Sequence, residues 1–147
     1  MASCTFFGHR ECLERVRRAL REVLKTLICE HGVTEFYVGN QGSFDLNVQF
    51  VLKELKENYP QINYWIVLAY MPNKPDNFSD YTMTILPEGI ENVNPRYAIS
   101  WRNRWMLKRS ENVVTYITHS WGGAAQFAEQ AVRQKKRVIN IANETEK

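Results

Sequence analysis

Apolar residues along the chain alternate between short unbroken runs and stretches with helical spacing. Cys4 to Phe7 is a short apolar run closed by Gly8. Behind it Leu13, Val16, Leu20, Val23, Leu24, Leu27 and Ile28 fall on one face of a helix, which predicts strand followed by helix. Gly32 supplies the left-handed residue that ends such a helix. Thr34 to Val38 is β-branched and aromatic, and therefore a strand. It is closed by Gly39-Asn40-Gln41-Gly42, after which Val48, Val51, Leu52 and Leu55 carry helical spacing to Asn58 and Pro60.

The same alternation continues. Ile62 to Met71 is nearly continuous in apolar residues, as befits a strand covered on both faces. Residues 73–81, rich in Pro, Asn and Asp, predict an exposed loop, and Thr82 to Leu86 a brief extended piece. Asn94-Pro95 is an N-cap followed by proline at the first helical position, for a helix reaching about Ser110. Asn112 to Thr118 is a further strand. Gly122-Gly123 opens a helix with Ala124, Ala128, Ala131 and Val132 expected inside, and Arg137 to Ile141 is the last strand.

Strand–helix alternation calls for parallel neighbours joined by right-handed crossovers. The expected fold is α/β: a Rossmann-like, doubly wound, mainly parallel sheet of about five strands with helices on both faces. Residues 1–143 are expected to form one domain, with 144–147 a polar tail. Sheets of this kind take ligands outside the carboxyl ends of their strands, so the strand-to-helix loops are the place to look for chemistry.

Composition narrows the classes. The 147 residues are 44% hydrophobic and 24% charged, which excludes disordered and fibrous chains. A net charge of +3, concentrated in 15–21 and 133–137, falls short of a nucleic-acid footprint, so nucleic acid is expected to be an unlikely partner. Cys4, Cys12 and Cys29 have no metal-ligand spacing and read as reduced thiols, giving an expectation of a cytoplasmic protein with no metal. The longest apolar stretch, Trp65 to Met71, is too short to cross a bilayer, so no membrane association is expected.

Three loops share one edge of the expected sheet: Gly8-His9-Arg10, Gly39-Asn40-Gln41-Gly42-Ser43 with Asp45 close behind, and Thr118-His119-Ser120-Trp121-Gly122-Gly123. Any one of them needs glycine simply to turn. Together they suit a phosphate, because glycine admits close backbone approach and the following helix offers free N–H groups. His9 and Arg10 stand where an anionic ligand would meet them, although each also has a structural reading as a hydrogen-bonded histidine and a strand-capping arginine. Asp45 in the first turn of its helix is favoured by the dipole whatever its function. Glu129 leans back toward Gly122-Gly123, where a ribose or base would sit, or else is a solvated helix carboxylate. Arg102 falls on the apolar stripe of Ala98, Trp101, Trp105 and Met106, so it needs a partner, either an internal carboxylate or a ligand phosphate.

The segments CTFFGHR, EFYVGNQGSFD, ISWRNRWML and VVTYITHSWGGAAQFAE closely resemble the SLOG superfamily, and within it a DUF1273-like group of short bacterial proteins. The resemblance spans nearly the whole chain and implies a Rossmann-like fold. The superfamily includes lysine-decarboxylase-like phosphoribohydrolases, the DNA-uptake protein DprA and sensor domains for nucleotide-derived signals. In the phosphoribohydrolases a PGGxGTxxE segment binds the nucleotide phosphate and carries a glutamate, completed by an upstream arginine. Ser120 to Gln126 resembles that loop, with Glu129 at the glutamate position and Arg102 or Arg104 answering for the arginine. Trp121 precedes the glycines, and Ala124-Ala125 replaces the Gly-Thr pair, so the threonine hydroxyl is missing.

These readings lead to a binding protein, acting as sensor, carrier or sequestering agent, for a nucleotide or nucleotide-derived small molecule. No separate cofactor is expected. The enzyme alternative is N-glycosidic hydrolysis of a nucleoside monophosphate, with Glu129 and Arg102 catalytic. Single-stranded DNA binding is the third. Related phosphoribohydrolases work as dimers, so a homo-oligomer is expected, with Trp101 and Trp105 as candidate contact residues.

Overall fold

The computed structural model describes residues 2–71 and 83–145. The loop expected over 73–81 lies outside them. Among the described residues the strands are β1 (Ala2–Gly8), β2 (Val33–Val38), β3 (Asn63–Val67), β4 (Thr84–Ile85), β5 (Asn112–Tyr116) and β6 (Arg137–Asn140). The helices are α1 (Val16–His31), α2 (Gly42–Asn58), α3 (Ala98–Arg109), α4 (Gly123–Arg133) and α5 (Ala142–Thr145). All strand pairs are parallel, in the order β4-β3-β2-β1-β5-β6. The expected sheet of about five strands gains a sixth in β4, the brief extended piece, held where Leu68 N–H donates to the Ile85 carbonyl at 2.8 Å. The boundary expected after residue 143 falls inside α5.

Period-two alternation divides the core between the two faces of the sheet. Phe6 and Val114 point to one side and join Leu20, Leu24, Phe36, Val48 and Leu52 from α1, β2 and α2. Their chain neighbours Phe7 and Val113 point to the other and join Val67, Met106, Phe127 and Ala131 from β3, α3 and α4. A one-residue slip of β1 would exchange the two sets, so burial on both faces locks its register.

Helix ends follow the expected signals, with one shift of face. Gly32 closes α1, its N–H donating to the Leu27 carbonyl. Asn94 accepts from Arg96 N–H at 2.9 Å and Pro95 follows, opening a 3-10 turn (Pro95–Tyr97) that leads into α3. On α4, however, the buried residues are Ala125, Phe127 and Ala131, while Val132 is exposed. Phe127 sets that rotation by stacking on Phe7 with centroids 5.3 Å apart, a contact that outweighs seating Val132 inside. Among the described residues no helix is long and apolar enough to cross a membrane.

The topology positions a site. The helix after β1, α1, packs on one face, whereas the helix after the adjacent β5, α4, packs on the other. The two loops therefore diverge and leave a crevice between them, the switch point at which such sheets take ligands.

Candidate functional site

The crevice between β1 and β5 opens into a cavity of about 590 Å³, in the range of small-molecule sites. Its walls come from the end of β1 through Glu11, from Gln41 and Asp45, from Ile99, Arg102, Asn103 and Met106 on α3, and from His119 and the start of α4.

One wall is a column of rings. Thr118 N–H donates to His9 Nε2 at 2.9 Å, which leaves the ring proton on Nδ1. The His9 ring stacks on His119 with centroids 3.7 Å apart, and His119 stacks on Trp121 at 3.8 Å, each pair nearly parallel. His119 Nδ1 lies 3.0 Å from the Trp121 carbonyl and so donates to it, fixing the loop at its turn. Burial, aided by the neighbouring His119, pushes the His9 pKa down, in the same sense as the acceptor role its Nε2 takes toward Thr118. The column ends on Trp121, 69% exposed, with one face on His119 and the other open at the cavity mouth.

Beside Trp121, Gly122 adopts φ +97°, a conformation that side chains rarely tolerate, and turns the chain into α4. A side chain added at Gly122 or Gly123 would meet nothing within 4 Å, so the helix start is open. Its first N–H groups have no intrahelical acceptor and carry the positive end of the dipole. Across the mouth, the β1–α1 loop is clipped to α2: Ser43 N–H donates to the Arg10 carbonyl at 2.7 Å and Cys12 N–H to Ser43 Oγ at 2.8 Å. Those bonds hold Arg10 at the rim, its side chain exposed and without an ion pair among the described residues.

The floor carries the charges. Arg102, 2% exposed, donates through Nη1 to the Val67 carbonyl at 3.0 Å and through Nε to Asn103 Oδ1 at 2.9 Å. Asp45 Oδ2 accepts from Gln41 N–H at 2.9 Å. Gly39 lies between the two: a Cβ there would stand 2.7 Å from Arg102 Nη1 and 2.8 Å from Asp45 Oδ2. Glycine at 39 is thus the condition for both groups to converge. Burial pushes the Asp45 carboxyl up to about 6, opposed by the Gln41 hydrogen bond and by Arg102. Burial likewise lowers the Arg102 pKa, opposed by Asp45 and Tyr70.

A raised carboxyl pKa means that the folded state binds the proton more tightly than the unfolded chain. Its stabilising effect is complete below the unfolded value and is lost as pH rises through about 6. Asp45→Asn is therefore expected to become more stable relative to the parent between pH 4 and pH 7, by on the order of 3 kcal/mol. Urea midpoints of the two proteins across that range check this; parallel curves would remove the perturbed carboxyl from the account.

The cavity brings together Gly8, His9, Arg10, Asp45, Arg102, His119, Trp121, Gly122 and Gly123 of the residues expected from sequence. Gly39 serves as the spacer behind Asp45 and Arg102, and Gly42 sits against the Arg10 backbone. Asn40, Ser120 and Arg104 are exposed outside the lining. Glu129 departs furthest from expectation: instead of reaching back over Gly122-Gly123, its carboxylate pairs with Arg133 one turn further along α4 and stays solvated. That i, i+4 pair, carboxylate nearer the amino terminus, is a favoured helix arrangement. The expected contact residues Trp101 and Trp105 are half-buried, Trp105 edge-on to Tyr37 and under Arg109. Sequence reasoning missed Glu11, Gln41, Ile99 and Asn103. Gln41 had a signal, being inside a loop already singled out; Ile99 and Asn103 depend on how α3 lies across the crevice.

No protein-family model and no curated protein matches the sequence. Solved structures do. DNA processing protein A (DprA) from Streptococcus pneumoniae superposes with a TM-score of 0.67 at 15% identity, covering 94% of this chain and 49% of that one. The chain thus spans about half the length of that protein. DNA processing protein A from Helicobacter pylori superposes with a TM-score of 0.61 at 12% identity, over 97% of this chain and 70% of that one. The chain shares the Rossmann-like α/β fold of these structures.

One expectation is corrected by these likenesses. The Helicobacter pylori structure is described by its single-stranded DNA binding mode, which overturns the expectation that nucleic acid is an unlikely partner. The expectation rested on a net charge of only +3 and on basic residues gathered in two short runs. Net charge says nothing of the aromatic column, which this chain assembles from two loops about 110 residues apart.

Proposed function

We propose that this chain binds single-stranded DNA at the β1–β5 crevice, seating one nucleotide in the cavity and stacking the adjoining base on Trp121. The observation that carries this is the column His9–His119–Trp121 ending in an open indole face at the cavity mouth. Aromatic faces are sequence-tolerant platforms for unpaired bases. The start of α4 adjoins that face and suits the linking phosphate, and Arg10 stands on the opposite rim as its counter-cation. The likeness to a protein described by its single-stranded DNA binding mode supports the same reading. A duplex would keep its bases stacked on each other and leave the indole unused.

Fluorescence anisotropy of a labelled 15-nucleotide dT strand at low salt tests the proposal. Expected are saturable binding that weakens as salt rises, and failure of an equivalent hairpin duplex to compete. No binding by folded protein at low salt would sink it. A free nucleotide held in the cavity is the second reading, favoured by the buried Asp45 and Arg102 at its floor. Under that reading dTMP would compete as well as the strand does, because nothing beyond the first nucleotide would contribute.

A further inference from the structure

We infer that the cavity selects guanine as the base of the inserted nucleotide, with Asp45 accepting from its N1–H and N2–H groups and Arg102 donating to O6. The inference rests on the proposed seating of one nucleotide in the crevice. Asp45 and Arg102 both line the cavity and both are buried in the protein. Their hydrogen bonding is incomplete in a particular way. Among the described residues Asp45 accepts one hydrogen bond, at Oδ2, leaving Oδ1 without a partner. Arg102 uses Nε and one Nη1 hydrogen, leaving Nη2 without a partner among the described residues. Among the described residues neither side chain has a fully buried polar atom without a partner, so the unpartnered atoms keep some accessible surface, and both residues line the cavity.

A floor with an acceptor-only group beside a donor-only group discriminates among bases. An ionised carboxylate needs hydrogens from its ligand. Guanine offers two adjacent ones, at N1 and N2, next to the O6 acceptor. Adenine and cytosine each set an unprotonated ring nitrogen beside their amino group, so a carboxylate would meet a lone pair. Thymine offers a single N3–H between two carbonyls. Guanine alone satisfies both carboxylate oxygens and the guanidinium together. The backbone N–H of Gln41 already fixes one carboxylate oxygen, and Gly39 holds the pair at one spacing, so the pattern is rigid before any ligand arrives.

The experiment uses four 9-nucleotide dT strands whose central position is dG, dA, dC or dT, titrated into the intact protein at pH 8, where Asp45 is ionised. The dG strand is expected to bind about tenfold more tightly than the other three. Asp45→Asn, which exchanges one acceptor for a donor, is expected to erase that preference, so that its affinities for the four strands come together. Equal affinity for the four strands, or a dG preference that survives in Asp45→Asn, would overturn the inference and leave strand binding intact. Absence of binding to every strand would instead sink the proposed function. The comparison among wild-type titrations stands even if the variant proves unstable.

Discussion

Trp121→Ala is expected to weaken binding of a single-stranded dT oligomer roughly ten- to hundredfold, because one base–aromatic stack contributes about 1–3 kcal/mol. The indole presents an open face and lies against His119 alone in the ring column, so its loss removes ligand contact without opening the core. Stability should therefore stay within about 0.5 kcal/mol of the parent, as for other exposed positions. Trp121→Phe should recover much of the affinity, since it restores a ring of smaller area on the same support. Replacing His119 probes the column from below: the indole loses its parallel neighbour and the hydrogen bond that fixes the turn before α4, and affinity should fall. Anisotropy titrations paired with thermal melts separate the two effects. Unchanged affinity in Trp121→Ala would remove the stacking platform from the account. A loss that tracks a falling melting temperature would make Trp121 structural.

Arg102→Leu is expected to cost about 3–5 kcal/mol of stability at pH 8, the usual result of removing one partner from a buried charged arrangement. The side chain is 2% exposed, and its loss leaves the Val67 carbonyl without its donor and Asp45 without its neighbouring cation. The penalty should depend on pH in a defined direction. With Arg102 present the Asp45 carboxyl is already raised to about 6 by burial, and Arg102 is one of the two influences holding it down. Removing that influence raises the carboxyl further. At pH 5 the variant can relieve the buried charge by protonating Asp45, whereas at pH 8 the same proton costs more. Urea midpoints should thus diverge between parent and variant as pH rises from 5 to 8. A pH-independent gap would assign the cost to lost packing and the Val67 hydrogen bond rather than to charge. The double variant Arg102→Leu/Asp45→Asn should lose the pH dependence, which isolates the coupling between the two side chains.

These outcomes rest on different kinds of information. The order of strands and helices, the caps at Asn94 and Gly32 and the two-sided burial of β1 follow from local pattern, because period, cap chemistry and alternation act within a few residues of where they are written. The same pattern was enough to put the glycine loops on one sheet edge and Arg102 on an apolar stripe, since topology follows once parallel crossovers are required. Local pattern went astray where a competing contact was unweighed, one of them within a helix and one across the fold. Glu129 was drawn to Arg133 on its own helix, and Phe127 turned α4 away from the face its alanines suggested.

Tertiary structure alone decided what the loops build. The His9–His119–Trp121 column requires rings from the ends of β1 and β5 to be brought within 4 Å, and stacking between distant segments leaves no periodic trace in sequence. The convergence of Asp45 from α2 and Arg102 from α3 over Gly39 likewise depends on how two helices on opposite faces of the sheet approach one strand end. Sequence by itself determined a parallel sheet whose glycine loops share one edge, because each strand and helix is specified locally. Only the packed chain decided that this edge offers a stacking face and a charged floor, because both are made of side chains that become neighbours after folding.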